Sequence, residues 1–118
     1  TSKDTRSVGA PHAGKLVATG GDDSRIRLWS VSTGKLVRTI SAHSKDVRGL
    51  AFSPAGHSLL SAGWDRTARV FDVRSGSEVA TLRGHTSGVE DVAWSPDGRY
   101  LATGARDRTA RIYRVRRK

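Results

Sequence analysis

The chain contains no cysteine. That absence removes disulfides, thiolate catalysis and Cys-based metal sites together, and it fits a reducing compartment. Long apolar runs are also missing. Nothing approaches the roughly 18 residues of a membrane-spanning helix, and the opening TSKDTRSVGA lacks the apolar stretch of a signal peptide. An intracellular, cytoplasmic protein without membrane contact is therefore expected. The opening also lacks Met, as in a processed chain or a piece of a longer one. Apolar residues make up only 36% of the 118 positions, so burial has to come from short, efficiently patterned segments within what is expected to be one domain.

Negative charge is scarce. Eleven Asp and Glu face 21 Lys and Arg, a net charge of +10, and Arg outnumbers Lys 16 to 5. Such a surface suits an anionic partner: nucleic acid, an acidic protein face or a phospholipid surface. The charge comes mostly as isolated Arg, which equally suits solvated strand faces. The one cluster is RVRRK at 114–118, which reads as a solvated tail.

What is present is an internal period. Gly14, Gly56 and Gly98 lie 42 residues apart, as do Asp23, Asp65 and Asp107, and Trp29, Phe71 and Tyr113. His43 and His85 share the spacing, as do Pro54 and Pro96. No gap is needed, and residues 43–76 match residues 85–118 at 14 of 34 positions. The chain divides into units 1–42, 43–84 and 85–118. In the second unit, VRGLAF at 47–52 is one strand, SPAG a Pro/Gly turn, and 58–63 a second strand. A turn through Trp64, Asp65 and Arg66 leads to a third strand at 67–73. There Ala68 and Val70 share one face, and Arg69 and Phe71 the other. RSGS turns again into a fourth strand, EVATLR. The fold class is all-β: one small four-stranded antiparallel sheet per unit. Such a sheet cannot bury both faces alone and must stack on neighbours.

Together these marks resemble the WD40 repeat of β-propellers over essentially the whole chain. The residues that carry the resemblance are Gly84 with His85, Ser53 with Pro54, the Ser95-Pro96-Asp97-Gly98 turn, the turn aspartates and Trp29. The visible Trp64 and Asp65 are not the family's namesake pair, which maps instead to Phe71 and Asp72. The resemblance implies a hydrogen-bond network in each blade, joining a His before the first strand, a Ser or Thr on the second, the turn Asp, and the Trp of the third. Carried over by position, unit 2 supplies His43, Ser61, Asp65 and Phe71. Unit 3 supplies His85, Thr103, Asp107 and Tyr113. Unit 1 supplies Thr19, Asp23 and Trp29, with Thr1 where His belongs. Phe71 cannot donate, and Tyr113 donates only if its hydroxyl reaches. Contacts of His, Ser or Thr, and Asp are expected in units 2 and 3, and a weakened network in unit 1.

Ser61, His43 and Asp65 superficially resemble a catalytic triad. The set recurs once per repeat, which a fold needs and an active site does not, so no catalytic residue and no enzyme is expected. Metal and cofactor sites are not expected either: His43 and His85 belong to different blades, and His12 and His57 sit in turns.

Propellers close rings of four to eight blades. Here the third unit lacks the counterpart of EVATLR, and TRSVGA at the start is poorly apolar. A partial propeller with two uncovered faces is expected, not stable as a monomer. It would be completed by blades of a longer chain, by another subunit, or, for an engineered or evolutionary fragment, by copies of itself. The family typically binds partners on the face bearing the turn before the third strand and the loop leading into the first. Asp22, Trp64 and Arg106 precede the turn aspartates there, and Asp46, Arg48, Gly88 and Glu90 lie in the loops. Trp64 departs from its own repeat and stands among arginines, including Arg66 and Arg108. It is the first choice for contact with a protein or peptide, possible ligands being acidic or phosphorylated segments, or stacked bases. The function expected is a protein-interaction scaffold, with nucleic-acid binding or self-assembly as alternatives.

Overall fold

The structure, a computed structural model, describes residues 5–9 and 16–115. Thr1, His12, Gly14 and the end of the basic tail lie outside the described residues. Eleven strands are present among them and no helix: β1 (Thr5–Gly9), β2 (Leu16–Gly21), β3 (Arg25–Ser30), β4 (Leu36–Ser41), β5 (Val47–Phe52), β6 (Ser58–Gly63), β7 (Ala68–Asp72), β8 (Glu78–Leu82), β9 (Val89–Trp94), β10 (Tyr100–Ala105) and β11 (Ala110–Arg114). They form three antiparallel sheets in chain order, β1-β2-β3-β4, β5-β6-β7-β8 and β9-β10-β11. The third sheet ends at β11 with no fourth strand among the described residues, as the sequence implied. No described helix is long and apolar enough to cross a membrane.

Turn chemistry sets the strand ends. In both SPxG turns the glycine N–H returns to the serine carbonyl, Gly56 to Ser53 at 2.8 Å and Gly98 to Ser95 at 2.9 Å. The serine hydroxyls accept from the first residue of the next strand, Ser58 and Tyr100, each at 3.0 Å. Gly56 (φ 81°) and Gly98 (φ 72°) take the left-handed conformation these turns require. The turn between the second and third strand of each sheet instead puts a non-glycine residue there: Ser24, Arg66 and Arg108, with φ of 65°, 72° and 67°.

Stacking of the sheets makes two cores. Ile26, Leu28 and Ile40 of the first sheet meet Val47, Phe52, Leu59 and Phe71 of the second. Leu60, Ala62, Ala68 and Val70 of the second sheet meet Val89, Val92 and Leu101 of the third. The alternation along β7 is thus realised, Phe71 toward one neighbour and Ala68 and Val70 toward the other. Leu59 and Leu60, adjacent on β6, do the same, and both are fully buried. Each such large apolar side chain contributes about 1.5–3 kcal/mol. The ring is not closed. Ile112 occupies the repeat position of Val70, yet it is 75% exposed where Val70 is 9% exposed. Val31, at the position of Val73, is also exposed.

Candidate functional site

Two sets of polar side chains stand out, one inside each blade and one on the loops between blades. In the second blade, His43 is buried just before β5, Ser61 lies on β6 and Asp65 in the following turn. His43 Nδ1 is 3.0 Å from Asp65 Oδ1, and its Nε2 is 2.7 Å from Ser61 Oγ. These partners assign the tautomer: Nδ1–H donates to the carboxylate and Nε2 accepts from the hydroxyl. Asp65 also accepts from Ser44 N at 3.1 Å and from the Thr67 hydroxyl at 2.7 Å. Burial pushes its carboxyl up. The hydrogen bonds from His43, Thr67 and Ser44 outweigh that and hold it well below the usual carboxylate range.

The third blade repeats the pattern. His85 Nδ1 is 3.1 Å from Asp107 Oδ2 and Nε2 is 2.7 Å from Thr103 Oγ1. The Thr109 hydroxyl donates to Asp107, as does Thr86 N at 2.9 Å. These bonds hold the Asp107 carboxyl well below its ordinary value. In the first blade the Trp29 indole donates to Thr19 Oγ1 at 2.9 Å. There Asp23 pairs with Arg27 at 2.9 Å, the same i to i+4 pairing that Asp65 makes with Arg69 at 3.5 Å in the second blade.

Tyr113 departs from its expected place in the network. Its hydroxyl reaches the Arg83 carbonyl, at 3.4 Å, and not Thr103. An indole N–H projects sideways from its ring, whereas a phenol hydroxyl extends along the ring axis and overshoots the neighbouring strand. Thr67 and Thr109 were not singled out in the sequence. The signal was there: both stand two residues after the turn Asp, in the shared tripeptide Asp-Arg-Thr. Ser61 is fully enclosed, as is the His43 ring. That leaves no approach for a substrate atom, so this trio is suited to holding strands and not to nucleophilic attack. Among the described residues, no three His, Asp or Glu side chains converge as a metal site needs.

The loop face differs from expectation at its centre. Trp64 is half-buried and not an exposed turn tip. Its ring lies across Gly88 of the third blade, so closely that a Cβ on Gly88 would sit 2.6 Å from Trp64 Cδ1. Its indole N–H donates to Glu90 on β9. Arg48 on β5 lies 4.1 Å from the ring centroid and Arg106 of the third blade 5.1 Å. Arg48 also approaches Glu90 at 3.5 Å. Four of the residues expected to face a partner, Trp64, Arg48, Glu90 and Arg106, therefore form one joint between the second and third blades. The missed signal was Gly88, which stands at the repeat position of Asp46 and makes room for the ring. The Asp46 backbone carbonyl accepts from Trp64 N at 3.0 Å, as that of Gly88 does from Arg106 N at 2.9 Å. Asp22 is half-buried and lies in the first blade, outside this joint.

The strand arginines are structural partners: Arg69 meets Glu78 at 3.3 Å, and Arg111 donates to the Gly84 carbonyl at 2.9 Å. A sequence family described as WD domain, G-beta repeat, matches residues 2–30, 34–72 and 76–114. No curated protein sequence matches the chain. The last two matched segments begin 42 residues apart, and each covers the outermost strand of one sheet and the inner three of the next. Repeat period, sheet order and family match agree: the chain belongs to the WD40 repeat family.

Proposed function

We propose that the chain is a non-enzymatic protein-interaction scaffold, a partial propeller whose blades at 1–42, 43–84 and 85–118 complete a ring with further blades. Those blades come from its own longer chain or from other copies or subunits. Protein interaction is the general role of WD40 repeats. The observation that carries the assembly reading is Ile112, an apolar side chain left in solvent at the position where Val70 is buried by the next sheet. The partner binds the loop face, whose shape the Trp64 joint holds and whose exposed cations, Arg106 among them, favour an acidic segment. Light scattering on the purified chain tests the reading: a particle larger than 12.7 kDa is expected. A monodisperse species of that mass, unfolding cooperatively in the calorimeter, overturns it.

A further inference from the structure

A small polar hollow of about 190 Å³ lies beside the Trp64 ring, between the loops of the second and third blades. Lys45, Arg66, Thr86, Ser87 and Arg106 line it together with Trp64 and Gly88. Three of these side chains are cationic and none is acidic. Lys45, Arg66 and Arg106 are exposed, and none of them makes an ion pair with a described residue. Of the acidic groups nearby, Glu90 is engaged by Trp64 and Arg48, Asp65 by His43 and Thr67, and Asp107 by His85, Thr86 and Thr109. Ser87 hydrogen-bonds to no described residue. Three uncompensated cations and a free hydroxyl thus converge on one hollow. The Trp64 ring forms one wall of it.

Arg66 stands at the rim of the hollow in the left-handed turn position (φ 72°) that Ser24 and Arg108 take in the other units, a conformation that Asn also takes readily.

We propose that this hollow binds the phosphate of a phosphorylated serine or threonine side chain on a protein partner. The proposal rests on the reading of the loop face as a partner surface, and it names the chemistry that surface selects. A phosphomonoester brings a charge of about −1.5 to −2 and three acceptor oxygens, matching three cations and a hydroxyl at one point. A nucleic-acid backbone would need cations strung along a track, and these three surround a single hollow.

The test is nuclear magnetic resonance of the ¹⁵N-labelled chain, titrated with N-acetyl-phosphothreonine methylamide, its unphosphorylated twin and inorganic phosphate. The phosphorylated compound and phosphate should give saturable shifts at the Ser87 and Gly88 amides and the Trp64 indole N–H, and the twin none. Lys45→Ala and Arg66→Asn remove one charge each, and Asn suits the left-handed turn. Each should weaken phosphothreonine binding on the order of three- to tenfold. Equal response to the unphosphorylated twin, or unchanged affinity in both variants, overturns the site. So do shifts spread over the arginine-bearing strands, or displacement of the ligand by a single-stranded RNA oligomer whose own shifts run beyond the hollow. Neither variant lies in a blade-to-blade contact, so particle mass by light scattering stays unchanged. Failure of the phosphate site is thereby distinguishable from failure of the scaffold reading.

Discussion

Removing the Asp65 carboxylate should destabilise the second blade far more than a surface acid would. In Asp65→Ala, three donors on buried residues lose their acceptor: His43 Nδ1–H, 3.0 Å from the carboxylate, the Thr67 hydroxyl, 2.7 Å from it, and the Thr67 backbone N–H at 3.2 Å. The Ser44 amide loses its partner too, but Ser44 is exposed and water replaces the carboxylate there. Each stranded buried donor costs about 1–3 kcal/mol. Thr67 Oγ1 stands 3.2 Å from His43 Nδ1 and can accept from it once Asp65 is gone, which places the expected loss near the lower bound of the three, at about 3 kcal/mol. Domains of this size lose roughly 4 °C in Tm per kcal/mol, so the melting point should fall by about 12 °C. Thermal and urea unfolding followed by circular dichroism at neutral pH measure it. Asp107→Ala, whose carboxylate is less enclosed than that of Asp65, should lose less. A fall below about 1 kcal/mol for Asp65→Ala, or a larger loss for Asp107→Ala, would refute the claim that buried donors dominate.

Three further outcomes follow from the same structure. Asp65 is held below its ordinary pKa when folded, so its contribution is fully present above the unfolded value of about 3.9 and fades as pH falls below it. The stability gap between the native chain and Asp65→Asn should therefore be constant from pH 5 to 7 and close below about pH 4; a gap that widens in acid contradicts the sign. Gly88→Ala places a Cβ 2.6 Å from the Trp64 ring and 3.2 Å from the Trp64 backbone. It should cost about 1–3 kcal/mol and red-shift tryptophan emission as the ring leaves its seat, and an unchanged spectrum would show that the ring is not seated there. Ile112→Lys puts a charge on a face that is already exposed. Sedimentation should show less of the assembled species, and a far-UV spectrum like that of the native chain.

Much of this was legible in the chain because it repeats. A period of 42 residues divides the chain into units, and the contacts among His43, Ser61 and Asp65 are those the resemblance to WD40 repeats implied for the second. Turn chemistry placed β6 at Ser58–Gly63 for the same reason. What the sequence concealed lies between repeats. Trp64 departs from its own repeat, which by itself points to contact with a partner. The ring instead fits over a second departure, Gly88, in the next blade. Pairwise compensation between neighbours is invisible to a comparison made position by position. The arginines at 27 and 69 share a register, and each pairs with the turn Asp four residues before it, Asp23 and Asp65. Tyr113 failed for a reason of ring geometry that residue type alone does not expose.

The two cores of the middle sheet have a bearing on how such an array can evolve. Toward the first blade, Phe52 and Phe71 meet Leu28; in the other core the matching places hold Trp94, Tyr113 and Val70. A larger aromatic faces a smaller aliphatic, so each junction reaches its filling by its own combination. At the loops, Trp64 fits only a following blade that carries Gly88 and Glu90. The blades therefore share one backbone but are not interchangeable parts. Swapping the second and third would set Leu28 against Trp94 and Tyr113, bring Arg106 over Asp46 in place of Gly88, and leave the Trp64 ring at the end of the array with no following blade to cover it. Serial order is written into the junctions, and a duplication that inserted a copy of the middle blade would have to rewrite them before the new array could pack.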